Sequence, residues 1–210
     1  MKILIVDDHA IVRKGLIQIF ADESATYIIG EAKNGNEALE KIREEEWDLI
    51  ILDINLPGKS GLEVMTIIKD QNPKMPVLIL STFNEDQYAI RALKSGAAGY
   101  LNKQSAPEEL VSAIKKIKKG EKYISPNQAR LLLSSVVDKT NSTHLHENLS
   151  NRELEILIMI AKGNTLTDIA TALSLSIRTI STYRFRLLQK LQLNNNAELI
   201  SYALHNQLVE

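Results

Sequence analysis

Apolar residues recur in two rhythms along the first 120 positions of this 210-residue chain. Unbroken four-residue apolar runs stand at 3–6, 49–52 and 77–80, each closed by a polar residue. Runs of that kind, bounded by breakers, predict strands buried on both faces of a parallel sheet. Weaker runs at 27–30 and 99–101 complete a set of five. Between them the period lengthens to that of a helix. Residues 9–21 place Ile11, Val12, Gly15, Leu16 and Ile19 on one face, and 36–45 turn Ala38, Leu39 and Ile42 inward. Residues 62–70 bury Leu62, Met65 and Ile68 in the same way. A helix over 85–95 stops at Gly96, suited to a left-handed cap. Another opens at Pro107, with Leu110, Val111, Ile114 and Ile117 inward and Lys115, Lys116, Lys118 and Lys119 outward.

Five strand–helix repeats predict an α/β fold, a doubly wound five-stranded parallel sheet. A short helix is expected to end near Val137. Residues 138–148 contain a single apolar residue and read as a linker. Beyond it the helical period returns. Ser150-Asn151-Arg152-Glu153 is a capping box opening one helix. Helices over 165–173, 177–191 and 197–208 follow, the first two of these joined by the three-residue turn Ser174-Leu175-Ser176. Two helices around a short turn in an all-α four-helix unit predict a helix-turn-helix. The expected division is a first domain over 1–120, a linker with a short helix over 121–147, and the helical domain over 148–210.

Composition narrows the chemistry. The chain has no cysteine, which excludes disulfides and thiolate metal sites. The apolar start is too short for a signal peptide, and no run approaches the roughly 18 residues of a membrane span. A cytoplasmic protein with no membrane partner is expected. The net charge is -1, and neither half is strongly basic. DNA binding would therefore depend on a few placed cations rather than on bulk charge.

Right-handed crossovers gather the strand ends Asp7, Asp8, Asp53, Ser81 and Lys103 along one edge of the sheet. Open α/β sheets place their ligands at that edge. Carboxylates meeting there repel one another unless a cation binds. Hard oxygen donors suit Mg²⁺, and beside a divalent ion Asp53 could attack a phosphorus atom. Lys103 adds a second positive charge, and Ser81 a hydroxyl for a phosphoryl oxygen. Any one of these residues alone would be read as a cap or a turn residue; the five together point to phosphoryl chemistry. His9 is simply the first residue of a helix, and His144 and His146 are read as solvated linker residues.

Residues 1–120 resemble the receiver domain of bacterial two-component response regulators, a flavodoxin-like fold. The resemblance rests on Val6-Asp7-Asp8-His9, Asp53-Ile54-Asn55-Leu56-Pro57-Gly58, Ser81-Thr82 and Gly99-Tyr100-Leu101-Asn102-Lys103. It implies that Asp53 accepts a phosphoryl group from a sensor histidine kinase. Asp8, Asp53 and the backbone carbonyl of Asn55 would ligate Mg²⁺, with Asp7 acting partly through water. Ser81 and Tyr100 would be a switch pair. Gln104 departs from the family, which often has proline there. Such a protein is a phosphoryl acceptor with at most self-catalysed transfer, not an enzyme. A metal-dependent phosphatase on the same fold would place a second acid at position 55, where this chain has Asn55.

Residues 148–210 resemble the LuxR-type helix-turn-helix of the NarL/FixJ class, from Leu149-Ser150-Asn151-Arg152-Glu153-Leu154 through Thr179-Ile180-Ser181-Thr182-Tyr183 to Lys190-Leu191. Ser181, Thr182 and Phe185 match that class's base readers. Arg178, Thr179, Arg186 and Lys190 fall at or near its backbone contacts. Leu199, Ile200, Ala203 and Leu204 lie on the last helix, part of which the class uses for dimer contact. Residues 182–186 and Tyr123-Ile124-Ser125-Pro126 are similar to the GacA/UvrY branch. The two resemblances imply a phosphorylation-dependent transcriptional regulator that pairs as a homodimer on an inverted-repeat operator in double-stranded DNA.

Overall fold

The structure, a computed structural model, describes residues 1–23, 27–82, 85–137, 145–206 and 208–209. The chain forms two compact units, Met1–Val137 and Asp138–Glu210.

The first unit alternates β1 (Lys2–Val6), α1 (Ala10–Ala21), β2 (Ile28–Ala32), α2 (Gly35–Glu44), β3 (Leu49–Asp53), α3 (Gly61–Gln71), β4 (Val77–Ser81), α4 (Glu85–Lys94), β5 (Gly99–Asn102) and α5 (Ala106–Lys118). The strands pair in parallel in the order β2-β1-β3-β4-β5. This is the doubly wound sheet expected from the apolar runs. On one face Ile3, Ile5, Leu49, Ile51, Leu78, Leu80 and Leu101 pack against Leu16 and Phe20 of α1 and Leu110, Ala113, Ile114 and Ile117 of α5. The alternate residues Leu4, Ile50, Leu52, Ile79 and Tyr100 are equally buried, so strand alternation sends them to the opposite face. The strand β2 lies at the edge, and its Ile28 is more than half exposed.

Strand order reverses between β1 and β3, and that is where a sheet of this kind opens a crevice. The local sequence keeps the crevice tight. The Ser60 hydroxyl accepts from Glu63 N–H while the Glu63 carboxylate accepts from Ser60 N–H, fixing the start of α3. Gly61 follows, and a Cβ there would stand 1.9 Å from the Asp53 carbonyl oxygen. Only glycine lets α3 begin so close to the end of β3.

The region expected to be linker divides differently. Helix α6 (Pro126–Val137) and the segment before it belong to the first unit. Tyr123 forms a parallel bridge with Gly99, and α6 packs on α4. The sequence reading missed this because a lone bridge residue and one amphipathic helix carry no signal of what they cover. Residues 138–144 of the expected linker, His144 among them, lie outside the described residues.

The second unit begins with a short 3₁₀ turn (Leu145–Asn148), followed by α7 (Asn151–Ala161), α8 (Leu166–Ala172), α9 (Ile177–Leu191) and α10 (Asn196–His205). The expected Ser150–Glu153 capping box is present, and Thr165 and Asp168 form another at the start of α8. His146 is not a free linker residue. Its backbone N–H donates to the Tyr202 hydroxyl, and its Nδ1 lies 3.0 Å from the same oxygen. Leu154, Leu157, Ile169, Ile180, Leu187, Leu191 and Leu199 form the buried centre of the unit. Leu188, next to Leu187 on α9, is only partly buried. No described helix is long and apolar enough to cross a membrane.

Candidate functional site

Asp7 follows β1 and Asp53 ends β3, so the two carboxylates flank the switch point of the sheet. Each is 1 % exposed. Two buried like charges at close range are tenable only with compensation. Lys103, just beyond β5, supplies part of it: its Nζ lies 2.7 Å from Asp53 Oδ2 and 2.7 Å from Asp7 Oδ2. The contact with Asp53 is a well-formed hydrogen bond. Asp7 Oδ2 lies close to the ammonium but makes no well-formed hydrogen bond among the described residues. The other Asp7 oxygen accepts from His9 N–H, and Asp53 Oδ1 accepts from Asn55 N–H at 3.2 Å.

The remaining expected residues are placed by strand register. Asp53 pairs with Leu80, and Ser81 is the next residue of β4. Ser81 pairs with Asn102, and its carbonyl accepts from Lys103 N–H. Ser81 is fully buried, as is Tyr100 two positions before Asn102. By alternation Ser81 and Tyr100 face the same side of the sheet. Asn55 stands two residues after the acceptor, and its side-chain Oδ1 is buried with no hydrogen-bond partner among the described residues.

Asp8, exposed, extends the acidic group outward. Asp7, Asp8, His9 and Asp53 each offer one donor atom, all within 4.8 Å of one another. An oxygen-rich set with buried, incompletely satisfied acceptors fits a hard divalent cation. His9 was not expected in this group. It caps α1 by position, but its ring turns to Asp8, with Nδ1 2.7 Å from Asp8 Oδ1. Arg13 was also missed. Its Nη1 donates to the Asp7 carbonyl while Nε bonds Glu31, which pins the turn after β1. Nothing in the run of letters distinguishes these two from ordinary helix-face residues.

Burial pushes the Asp53 carboxyl up to about 6, and Asp7 adds to the effect; the Lys103 ammonium opposes it without cancelling it. Burial works against the Lys103 charge, but the two carboxylates outweigh it and hold the ammonium above its ordinary range. Between the ordinary aspartate value of 3.8 and about 6, the folded chain therefore holds a proton on Asp53 that the unfolded chain has released. Stability must fall as pH rises through that window. In the presence of a chelator, Asp53→Asn is expected to be more stable than wild type by about 1–3 kcal/mol above pH 6, with the gain vanishing toward pH 4. Urea unfolding across pH 4–8 measures it.

In the second unit Ser176 opens α9, its Oγ accepting from Thr179 N–H at 3.0 Å. Arg178, Ser181, Thr182, Phe185 and Arg186 are all exposed, and Thr179 is partly so. Phe185 stands free on the surface, more than half exposed. An open concavity of about 340 Å³ is lined by Ser176, Arg178, Thr179, Thr182, Tyr183 and Arg186. It joins two guanidinium groups to the amino end of a 15-residue helix, which suits a phosphate. The Thr182 hydroxyl donates to the Arg178 carbonyl, which leaves its oxygen lone pairs free to accept.

One expectation needs correction, and another gains a detail. Lys190 is exposed but already ion-paired. Its Nζ lies 2.7 Å from Glu153 Oε2, tying α9 to the start of α7. Leu199 and Ala203 are fully buried inside the unit and offer nothing to a partner. Leu204 is half exposed and Ile200 partly so. Helical spacing alone could not separate the inner positions from the outer, because α7 covers part of the same face.

The arrangement is a charge-lined notch at the end of one domain and an exposed, cation-bearing recognition helix in another. Comparison with known proteins agrees. Residues 3–115 match the response regulator receiver domain, and residues 147–203 match the luxR family of bacterial regulatory proteins. The oxygen regulatory protein NreC of Staphylococcus epidermidis is 36% identical over 217 residues, covering 100% of both chains. Response regulator UvrY of Escherichia coli is 33% identical, covering 99% of this chain and 95% of its own. Among solved structures, RcsB from Salmonella enterica serovar Typhimurium, bound to promoter rprA with the phosphomimetic BeF3-, is 26% identical. It superposes with a TM-score of 0.63 over 96% of this chain and 98% of its own. The chain belongs to the response regulators: a receiver domain joined to a LuxR-type DNA-binding domain, the build of phosphorylation-dependent transcriptional regulators.

Proposed function

We propose that Asp53 is the phosphoryl acceptor of this regulator, that a sensor histidine kinase is its donor, and that the C-terminal unit binds an inverted repeat in double-stranded DNA as a homodimer. The observation that supports this most is the Lys103 ammonium shared between two carboxylates at the switch point of the sheet. The Asp53 carboxylate attacks the phosphorus of a phosphohistidine, the P–N bond breaks, and the imidazole leaves with the bonding pair. Lys103 stays with the acceptor and meets the incoming phosphoryl oxygens, and the Ser81 hydroxyl donates to one of them. Asp8, Asp53 and the Asn55 backbone carbonyl, with Asp7 in support, would hold Mg²⁺. When bound, the ion offsets charge on the transferred group. The chain is a stoichiometric acceptor rather than a turnover enzyme, and it acts in the cytoplasm.

On DNA, Arg178, Thr179 and Arg186 hold the backbone while Ser181, Thr182 and Phe185 face the bases. Phosphorylation biases a two-state receiver and so changes how readily the second unit pairs on its operator. Selection from a random-sequence duplex pool tests this reading. Wild type is expected to enrich an inverted repeat, and more strongly after treatment with an acyl phosphate and Mg²⁺. Arg178→Ala should weaken binding by about tenfold on every selected sequence, whereas Thr182→Val should alter which sequences are enriched. A pool that emerges unenriched would overturn the reading.

A further inference from the structure

We infer that Gln128 is a positioning residue that joins the phosphoryl pocket to helix α6; the inference rests on the reading of Asp53 as the switch. Gln128 is 1 % exposed and lies outside the machinery described above. Its Nε2 donates to the Tyr100 carbonyl at 2.9 Å. Its Oε1 accepts from Ser125 N–H at 3.1 Å, and its own N–H donates to Ser125 Oγ at 3.2 Å. One side chain thus fixes the first turn of α6 and the backbone of β5 together.

The strand β5 is the edge of the sheet, and an edge strand presents backbone groups with no neighbour strand to meet them. Here the returning chain meets them twice. Tyr123 N–H donates to the Ala98 carbonyl at 2.8 Å and bridges Gly99. Gln128 then takes the next outward acceptor, on Tyr100. Tyr123 is held in turn from α5, its hydroxyl donating to Glu109 Oε2 at 2.5 Å. The same four-residue strand carries the buried Tyr100 ring and leads directly into Lys103. A displacement of β5 that accommodates a phosphoryl group on Asp53 therefore moves the acceptor to which α6 is bonded. The chain beyond α6 leads to the DNA-binding unit. If Gln128 only covered an edge, its loss would lower stability and nothing else; as a joint, its loss uncouples the two activities.

The experiment compares wild type, Gln128→Met and Ser125→Ala as full-length chains. Ser125→Ala weakens the turn at the start of α6 but keeps the bond to Tyr100. Each chain is labelled with an acyl phosphate and Mg²⁺, and its affinity for a duplex selected by phosphorylated wild type is measured before and after labelling. Wild type gains affinity on labelling. In Gln128→Met that gain is expected to shrink about three- to tenfold, the size of one neutral hydrogen bond, with label uptake on Asp53 within about twofold of wild type. In Ser125→Ala the gain is expected to persist. An undiminished gain in Gln128→Met, or equal shrinkage in both variants, overturns the joint. Hydrogen exchange on wild type is independent of any variant: labelling should change protection in α6 along with β5, and a change confined to β5 overturns the inference. A wild type that takes up no label overturns instead the reading of Asp53 on which it stands.

Discussion

Replacing Asp53 by asparagine is expected to abolish uptake of acyl-phosphate label, down to background, while leaving the chain folded. The substitution keeps the shape of the side chain, and the amide oxygen can still accept from Asn55 N–H. What it removes is the anionic nucleophile, and no neighbouring group can replace it. Asp7 is already shared between Lys103 and His9 N–H, and Asp8 lies outside the buried notch. The neutral amide also relieves a buried charge, so the loss of labelling should accompany a gain in stability. Loss of label with loss of fold would leave the role of Asp53 unsupported. Label retained at the wild-type level would transfer that role to another carboxylate.

Removing the cation should act in the opposite direction. Lys103→Met keeps the length of the side chain and its burial but deletes the ammonium that two carboxylates share at 2.7 Å each. Asp7 and Asp53 are then left buried and facing each other with one fewer compensating charge. Breaking a buried pair from one side typically costs about 3–5 kcal/mol, and a cost near the lower end is expected here because Asp53 can take up a proton. The loss should grow as pH rises from 5 to 8, since protonation of Asp53 hides it at the acid end. Millimolar Mg²⁺ should restore part of it. Adding Asp53→Asn to Lys103→Met should restore more, so the two changes should be strongly non-additive. Denaturation with a chelator present, and then with Mg²⁺, measures all three. Unchanged stability in Lys103→Met would mean that the ammonium does not compensate the pair.

The strand ends were legible in the sequence because the signal there is abrupt. An apolar run such as Leu49-Ile50-Ile51-Leu52 closes on a charge that a buried strand would not otherwise tolerate, and Ile3-Leu4-Ile5-Val6 closes on Asp7 in the same way. Parallel topology then leaves few places for those charges to go. The carboxylates of Asp7 and Asp53 meet at Lys103 as that logic requires. Residues whose role depends on a neighbour from elsewhere were not legible. His9 looks like a helix-opening residue until its ring is seen against Asp8. Gln128 looks like a surface glutamine until β5 is found beneath it. Lys190 matched a position at or near a backbone contact, and its ion pair with Glu153, 37 residues earlier, could not be read from the sequence. Leu199 and Leu204 share one helix and one residue type, but only the packing of α7 sends the first inward and leaves the second exposed.

If phosphorylation of Asp53 is read by the separate DNA-binding unit, affinity for DNA must respond to it. The most direct test is the affinity of the full-length chain for its selected duplex, with and without an acyl phosphate and Mg²⁺, in wild type and in Asp53→Asn. The expected result is tighter binding on treatment in wild type and no response in Asp53→Asn. An equal response in both chains, or none in wild type despite label on Asp53, would contradict it.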